Sequence, residues 1–211
     1  MKMEYYPYHP LSVLQIAQKM RLRASIPAFA VIFASMFFVP RLQIPGLQAI
    51  PILALIYYFY VSARYRTGKV MPESDVKSFL SPICGKVTEI REDGFASLIF
   101  IERTAFTPAD LRSAHIDDIR APQGTGEDPS FASETIGTQW WIPTPPGVIV
   151  ESRPNLPGML IGLVPGNAVC RCRIPNSMTI TVTTGEKVIA GENVLARIPE
   201  PVSEPITETE E

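Results

Sequence analysis

Hydrophobic positions are spread unevenly along the chain. Between Ala24 and Pro40 there is no charged residue, and Arg23 and Arg41 close this run at either end. A second uncharged run extends from Leu42 to Ala63 and is closed by Arg64 and Arg66. As helices rising 1.5 Å per residue, the first reaches about 26 Å and the second about 33 Å, against a hydrocarbon core of about 30 Å. Gln43-Ile44-Pro45-Gly46 reads as the turn of a helical hairpin over residues 24–66. Pro27 then falls near the start of the first helix and Pro51 in the first turn of the second, where proline is tolerated. The shortness of the first run leaves open a re-entrant hairpin confined to one leaflet. In residues 1–23, Leu11, Val13, Leu14, Ile16, Ala17 and Met20 interleave with Ser12, Gln15, Gln18, Lys19 and Arg21. That is the pattern of an amphipathic helix lying at a bilayer surface or against a soluble domain.

Beyond Lys69 the period changes. Residues 67–77 read as a linker, and from there short apolar runs bounded by Gly and Pro dominate. The pattern predicts strands over Gly85–Ile90, Ala96–Ile101, Gly147–Val150, Leu160–Val164, Ala168–Ile174, Met178–Thr183 and Asn193–Ile198. A short helical turn is expected at Pro108–Ser113, and Arg120 to Ser133 has no periodicity and reads as a loop. Without crossover helices, residues 78–198 are an all-β barrel or sandwich rather than a βαβ fold. Residues 199–211, rich in Glu and Pro, form an acidic tail with no core-forming pattern.

Charge adds an orientation. The 211 residues hold 19 Lys/Arg and 21 Asp/Glu, a formal net charge of -2, which excludes the basic excess that a nucleic-acid binder needs. Lys2, Lys19, Arg21 and Arg23 precede the first apolar run, only Arg41 lies between the runs, and Arg64, Arg66 and Lys69 follow the second. By the positive-inside rule, both ends and the β domain face the cytoplasm, as on a cell inner membrane. Tyr57, Tyr58, Tyr60 and Tyr65 suit the returning interface. Cys84, Cys170 and Cys172 make no disulfide framework, and with His9 and His115 they give no zinc spacing.

Two segments carry motifs. One is Ser81-Pro82-Ile83-Cys84-Gly85-Lys86-Val87. The other, Val182 to Ile198, has Gly185-Glu186 and Gly191-Glu192 six residues apart, each opening a short strand, as in the flattened hairpins of biotinyl/lipoyl domains. Lys187 does not stand at a hairpin tip as the carrier lysine of such domains does. Together with the N-terminal hairpin, the Ile99-Phe100-Ile101 strand and the block from Gly158 to Pro175, these segments resemble the small, membrane-associated phosphatidylserine decarboxylase family.

The resemblance implies a decarboxylase-like β domain and, in active members, a pyruvoyl group made by self-cleavage at a Gly-Ser pair. Here that pair falls on Gly166-Asn167, and asparagine has no hydroxyl to attack the preceding carbonyl. Cys170 is the weak substitute, and His115 is the loose match to the family histidine. Trp140 and Trp141 stand where the family has other sequence and, with Arg120, Gly162 and Gly166, are candidates for a ligand pocket or an interface. The expectation is an uncleaved, catalytically inactive decarboxylase-like protein without cofactor, acting in lipid binding or as a scaffold. Its partners would be a membrane lipid such as an anionic phospholipid, or a membrane-protein complex. The alternative is an active decarboxylase of phosphatidylserine or a related amino-phospholipid, with a covalent pyruvoyl group made from an unorthodox precursor. A third class is a hydrolase or transferase using Asp110, His115, Asp117 or Asp118.

Overall fold

A computed structural model describes residues 9–42, 46–70, 77–104, 106–120, 130–142, 148–149 and 156–199. Two helices come first, α1 (Leu11–Leu42) and α2 (Ala49–Arg64). Helix α1 is continuous through Arg23 and Ala24, so the amphipathic first third and the apolar remainder share one axis. In the first third, Val13 and Ala17 are buried while Leu11, Ser12, Gln15, Gln18 and Lys19 face outward. Ala17 and Met20 pack against Ala109 and Leu163 of the β domain. Beyond Arg23 the large apolar side chains point outward instead: Phe33 is 65% and Met36 71% exposed. Across the pair, Phe29 meets Tyr58 with ring centroids 5.3 Å apart.

The helix lengths differ from the apolar runs. Helix α1 begins at Leu11, ahead of the uncharged run, and by length and composition Leu11–Val39 (29 residues) is long and apolar enough to cross a membrane, with Lys19, Arg21 and Arg23 in its domain-facing part. Helix α2 has 16 residues, about 24 Å, because Gly46 (φ +87°) to Gln48 form a turn rather than helix. Pro27 therefore stands inside α1, not near its start, where it removes the bond its N–H would give to the Arg23 carbonyl. The linking residues 43–45 lie outside the described residues.

Among the described residues, thirteen short strands follow: β1 (Ser78–Leu80), β2 (Gly85–Asp93), β3 (Ala96–Arg103), β4 (Asp110–Arg112), β5 (Ile119–Arg120), β6 (Ser130–Ser133), β7 (Thr138–Trp141), β8 (Val148–Ile149), β9 (Leu160–Leu163), β10 (Ala168–Pro175), β11 (Thr179–Ile180), β12 (Lys187–Val188) and β13 (Val194–Arg197). They form a seven-stranded sheet in the order β12-β2-β3-β10-β7-β6-β5, flanked by β1-β13-β11 and β4-β9-β8, all antiparallel. The large sheet curls into half a barrel around one core, with Phe79, Ile99, Ile101, Phe131, Trp140, Ile161 and Leu195 at its centre.

Each predicted strand has a counterpart, but Pro108–Ser113 is not helical. Asp110, Leu111 and Arg112 pair with Leu163, Gly162 and Leu160 of β9, so sheet pairing overrides the local helical pattern. The segment read as a loop from Arg120 to Ser133 has strands at both ends, β5 and β6; its centre, the linker centre 71–76 and the tail beyond Pro199 lie outside the described residues.

Gly85 shows why the Ser81–Val87 motif needs a glycine. A Cβ there would stand 2.9 Å from the carbonyl carbon of Glu102, on the neighbouring strand. Gly85→Ala is therefore expected to destabilise the full chain by about 1–3 kcal/mol, by overpacking against backbone that cannot yield. Urea unfolding in detergent, followed by tryptophan fluorescence, checks this. Lys86→Ala, at the exposed neighbouring position, should stay within about 0.5 kcal/mol.

Candidate functional site

The turn between β9 and β10 lies beside the end of α2, and two arginines bring them together. Arg103 has the parity of Ile99 and Ile101 on β3, so its side chain enters the domain with theirs and is fully buried. Its Nε donates to the Pro108 carbonyl at 3.0 Å, and its Nη2 donates to the carbonyls of Thr107 at 2.6 Å and Arg64 at 3.4 Å. Its Nη1 donates to the Gly166 carbonyl, while Arg64 Nε donates to the Pro165 carbonyl. Two guanidiniums thus hold successive carbonyls of the turn that leads to Asn167. Burial pulls Arg103 down to about 10, with Arg64 nearby adding to the effect and Asp110 opposing it, so it stays charged at neutral pH.

A second buried group joins three parts of the chain. The Asp110 carboxylate accepts the Gly68 N–H on both oxygens, at 3.0 and 3.1 Å, and pairs with Arg112 at 2.9 Å, both side chains being wholly buried. Arg112 also donates to the carbonyls of Gly158 (3.0 Å) and Gly68 (3.2 Å) and meets His9 Nε2 at 2.7 Å. Because arginine only donates, that histidine nitrogen accepts. Gly191, with φ +73°, leaves room for this arginine: a Cβ there would lie 2.7 Å from Arg112 Cδ.

His115 belongs to a third group, below the β6–β7 hairpin. Its Nδ1 donates to Asp117 Oδ1, and the same carboxylate oxygen accepts from Ser133 Oγ. Asp117 Oδ2 accepts the Thr135 N–H at 3.0 Å. Serine and carboxylate thus meet the same ring nitrogen, and the serine proton is committed to the carboxylate. A nucleophile–base–orienter relay needs them on opposite ring nitrogens, so this arrangement ties a loop to a hairpin and does not activate Ser133. Burial works against ionisation of Asp117, but its hydrogen bonds from Ser133, Thr135 and His115 outweigh it and hold the carboxyl well below the usual range.

Asp118 is deeper. Its Oδ2 accepts from Ala114 N–H (2.6 Å), His115 N–H (3.0 Å) and the Trp140 indole (3.0 Å), whereas Oδ1 has no partner among the described residues. Burial outweighs the three donors and pushes its carboxyl up to about 6.

The remaining candidates are scattered. Trp140 is fully buried and stacked on Phe131 with centroids 4.2 Å apart, so it packs the core and is not open to a ligand or interface; Trp141 is half-buried. Gly162 is buried in β9 between Leu111 and Ile149, and Arg120 lies in β5 opposite Phe131. Gly166 is half-buried and Asn167 exposed. Cys170 sits inside β10 opposite Ile101, fully buried, with its sulfur 3.8 Å from that of Cys172. Burial and the adjacent thiol push Cys170 well up, and burial pushes Cys84 up to about 11, so neither is poised as a thiolate. A pyruvoyl precursor does not fit here: Asn167 has no hydroxyl, and Cys170 is held mid-strand rather than at an accessible turn. Among the described residues, no group of three His, Cys, Asp or Glu side chains could hold a metal ion.

The fold and these groups define an apolar helical segment carrying a mostly-β domain, with no catalytic constellation evident among the described residues. No family model matches the chain, and no curated protein matches it.

Sequence reading missed Arg103 and the Asp110–Arg112 pair. The signals were a charge at core parity after Ile99 and Ile101, and opposite charges two apart in a strand.

Two expected outcomes follow from the buried charges. Asp110→Ala strands the Arg112 cation and should cost about 3–5 kcal/mol, read as a lowered urea midpoint. For Asp118, a folded pKa near 6 against an ordinary 3.8 means that the folded state keeps a proton the unfolded chain has released. Its contribution is full below about pH 4 and declines as pH rises toward about 6. Asp118→Asn should flatten that part of the stability–pH curve, measured as urea midpoints from pH 4 to 7.

Proposed function

We propose that this is a membrane-anchored, uncleaved protein whose decarboxylase-like β domain serves binding at the membrane surface rather than carboxyl-lyase chemistry. The observation that carries this reading is the outward apolar surface of α1 and α2 joined to the β domain through buried charge. Ile52, Leu53, Ile56 and Phe59 of α2 are exposed, as are Ile26, Phe29, Phe33, Met36 and Phe37 of α1. A contiguous apolar surface of this kind calls for lipid. His9 and Gly68, on either side of the helices, both meet Arg112, so the domain is fixed to its anchor instead of tethered by a free linker.

The basic residues support an orientation. Lys19, Arg21 and Arg23 on α1, Arg64 at the end of α2, and Arg66 and Lys69 after it fall at the domain end of the hairpin, with Arg41 alone at the far end. By the positive-inside rule, this distribution supports the proposal that the domain faces the cytoplasm at the cell inner membrane, against anionic phospholipid. The Gly85, Gly185 and Gly191 positions of the resembling segments each meet a backbone demand, a close approach or a positive φ. Docking to a membrane-protein complex is the second role such a domain would serve.

The test is intact mass of the detergent-purified chain under denaturing conditions, together with alkaline extraction of membranes. One species at 23.3 kDa that stays in the membrane pellet is the expected result. Two fragments parting between Gly166 and Cys172 would establish the decarboxylase alternative, and release into the supernatant would remove the anchor.

A further inference from the structure

Phe95 and Phe106 are strongly exposed phenylalanines of the β domain, at 91% and 73%. They flank opposite ends of β3, so about 23 Å of strand separates them. One exposed phenylalanine is ordinary on a protein surface. Phe95, at the tip of the β2–β3 hairpin, is of that kind.

Phe106 differs in three ways. Its turn is held firmly: the N–H and Oγ1 of Thr107 both donate to the Thr104 carbonyl, at 3.2 and 2.8 Å. Arg103 grips the Thr107 and Pro108 carbonyls, and the Ala109 N–H donates to the Arg66 carbonyl at 2.7 Å. Second, its ring meets Tyr60 of α2 edge-on, with centroids 6.2 Å apart and planes at 77°. Third, its depth is set by that contact. Tyr60 lies one turn before Arg64, about 6 Å along the helix, on the apolar side of the cations that mark the headgroup level. Elements lying in the interface bury their apolar face about 5–10 Å below that level.

We infer that the turn carrying Phe106 is a second membrane contact. The phenyl ring inserts at the boundary between headgroups and acyl chains, in the leaflet where α2 ends at Arg64. The exposed side chains of Arg66 and Lys69 stand against anionic headgroups beside it. The domain then rests on the bilayer in one attitude, with Asn167 and the turn held by Arg64 at the same level. This inference rests on the membrane-anchored reading above, and the test separates the two.

The experiment uses the full chain in vesicles of phosphatidylcholine and phosphatidylglycerol. The native thiols are buried, so Phe106→Cys, Phe95→Cys and Ile56→Cys each provide one accessible site for an environment-sensitive fluorophore. Lipids brominated near the carbonyl end of the acyl chain serve as quenchers. The expected result is blue-shifted emission at position 106, quenched several-fold more than at 95, with quenching also at 56. Quenching at 56 while 106 behaves like 95 would overturn the inference and leave the anchor intact. A blue shift at 106 without lipid quenching would also overturn it, because protein rather than lipid would then cover the ring. Absence of quenching at 56 would remove the anchored reading and this inference with it.

Discussion

Arg112 is wholly buried in a domain that offers its charge no water, and the placement of several distant segments follows from how that charge is met. Asp110, two residues earlier on the same short strand, supplies the carboxylate. The remaining donors go to the carbonyls of Gly68 and Gly158 and to His9. Such a pair yields little net stability, because desolvation offsets most of the attraction. Its value is positional: the guanidinium is satisfied only when the residues before α1, after α2 and around β9 are all in place. The absence of a Cβ at Gly191 is what makes the room.

Arg103 does the same work closer to the membrane end. It makes no ion pair among the described residues and spends its donors on backbone carbonyls, fixing the turn before β4 and the turn before β10 to each other. On the decarboxylase-like reading proposed above, self-cleavage chemistry would reside at the turn Gly166-Asn167. Here the preceding carbonyls are held by cations while the side chain that follows has no hydroxyl. The turn is held rigidly, and Asn167 at its end is exposed.

The Asp118 group closes the far side of the core. Trp140 enters the interior without leaving an unpaired indole because Asp118 receives its N–H, and that carboxylate is also pinned by two backbone N–H groups. Asp117 and Ser133 then fasten the hairpin that carries Trp140 to the His115 loop. Read in sequence, a histidine among two aspartates was a catalytic candidate. In space, Asp117 and Ser133 crowd one ring nitrogen while Asp118 takes the backbone N–H of His115, and the groups serve packing.

The apolar helical segment, its basic flanks, the β character of the remainder and the glycine positions were legible along the chain, because each depends on local composition or on a period of two along a strand. Helix lengths were less legible, since charge boundaries at Arg23 and Arg41 mark hydrophobicity and not where the backbone stops being helical. The strand at Asp110–Arg112 and the core position of Trp140 were decided by the tertiary structure, because pairing with β9 and stacking on Phe131 involve residues far along the chain. So was the meeting of Arg64, Arg103 and the Pro165–Gly166 carbonyls: no spacing rule relates residues 64, 103 and 166. Only folding the β domain against the end of α2 brings those charges to one turn.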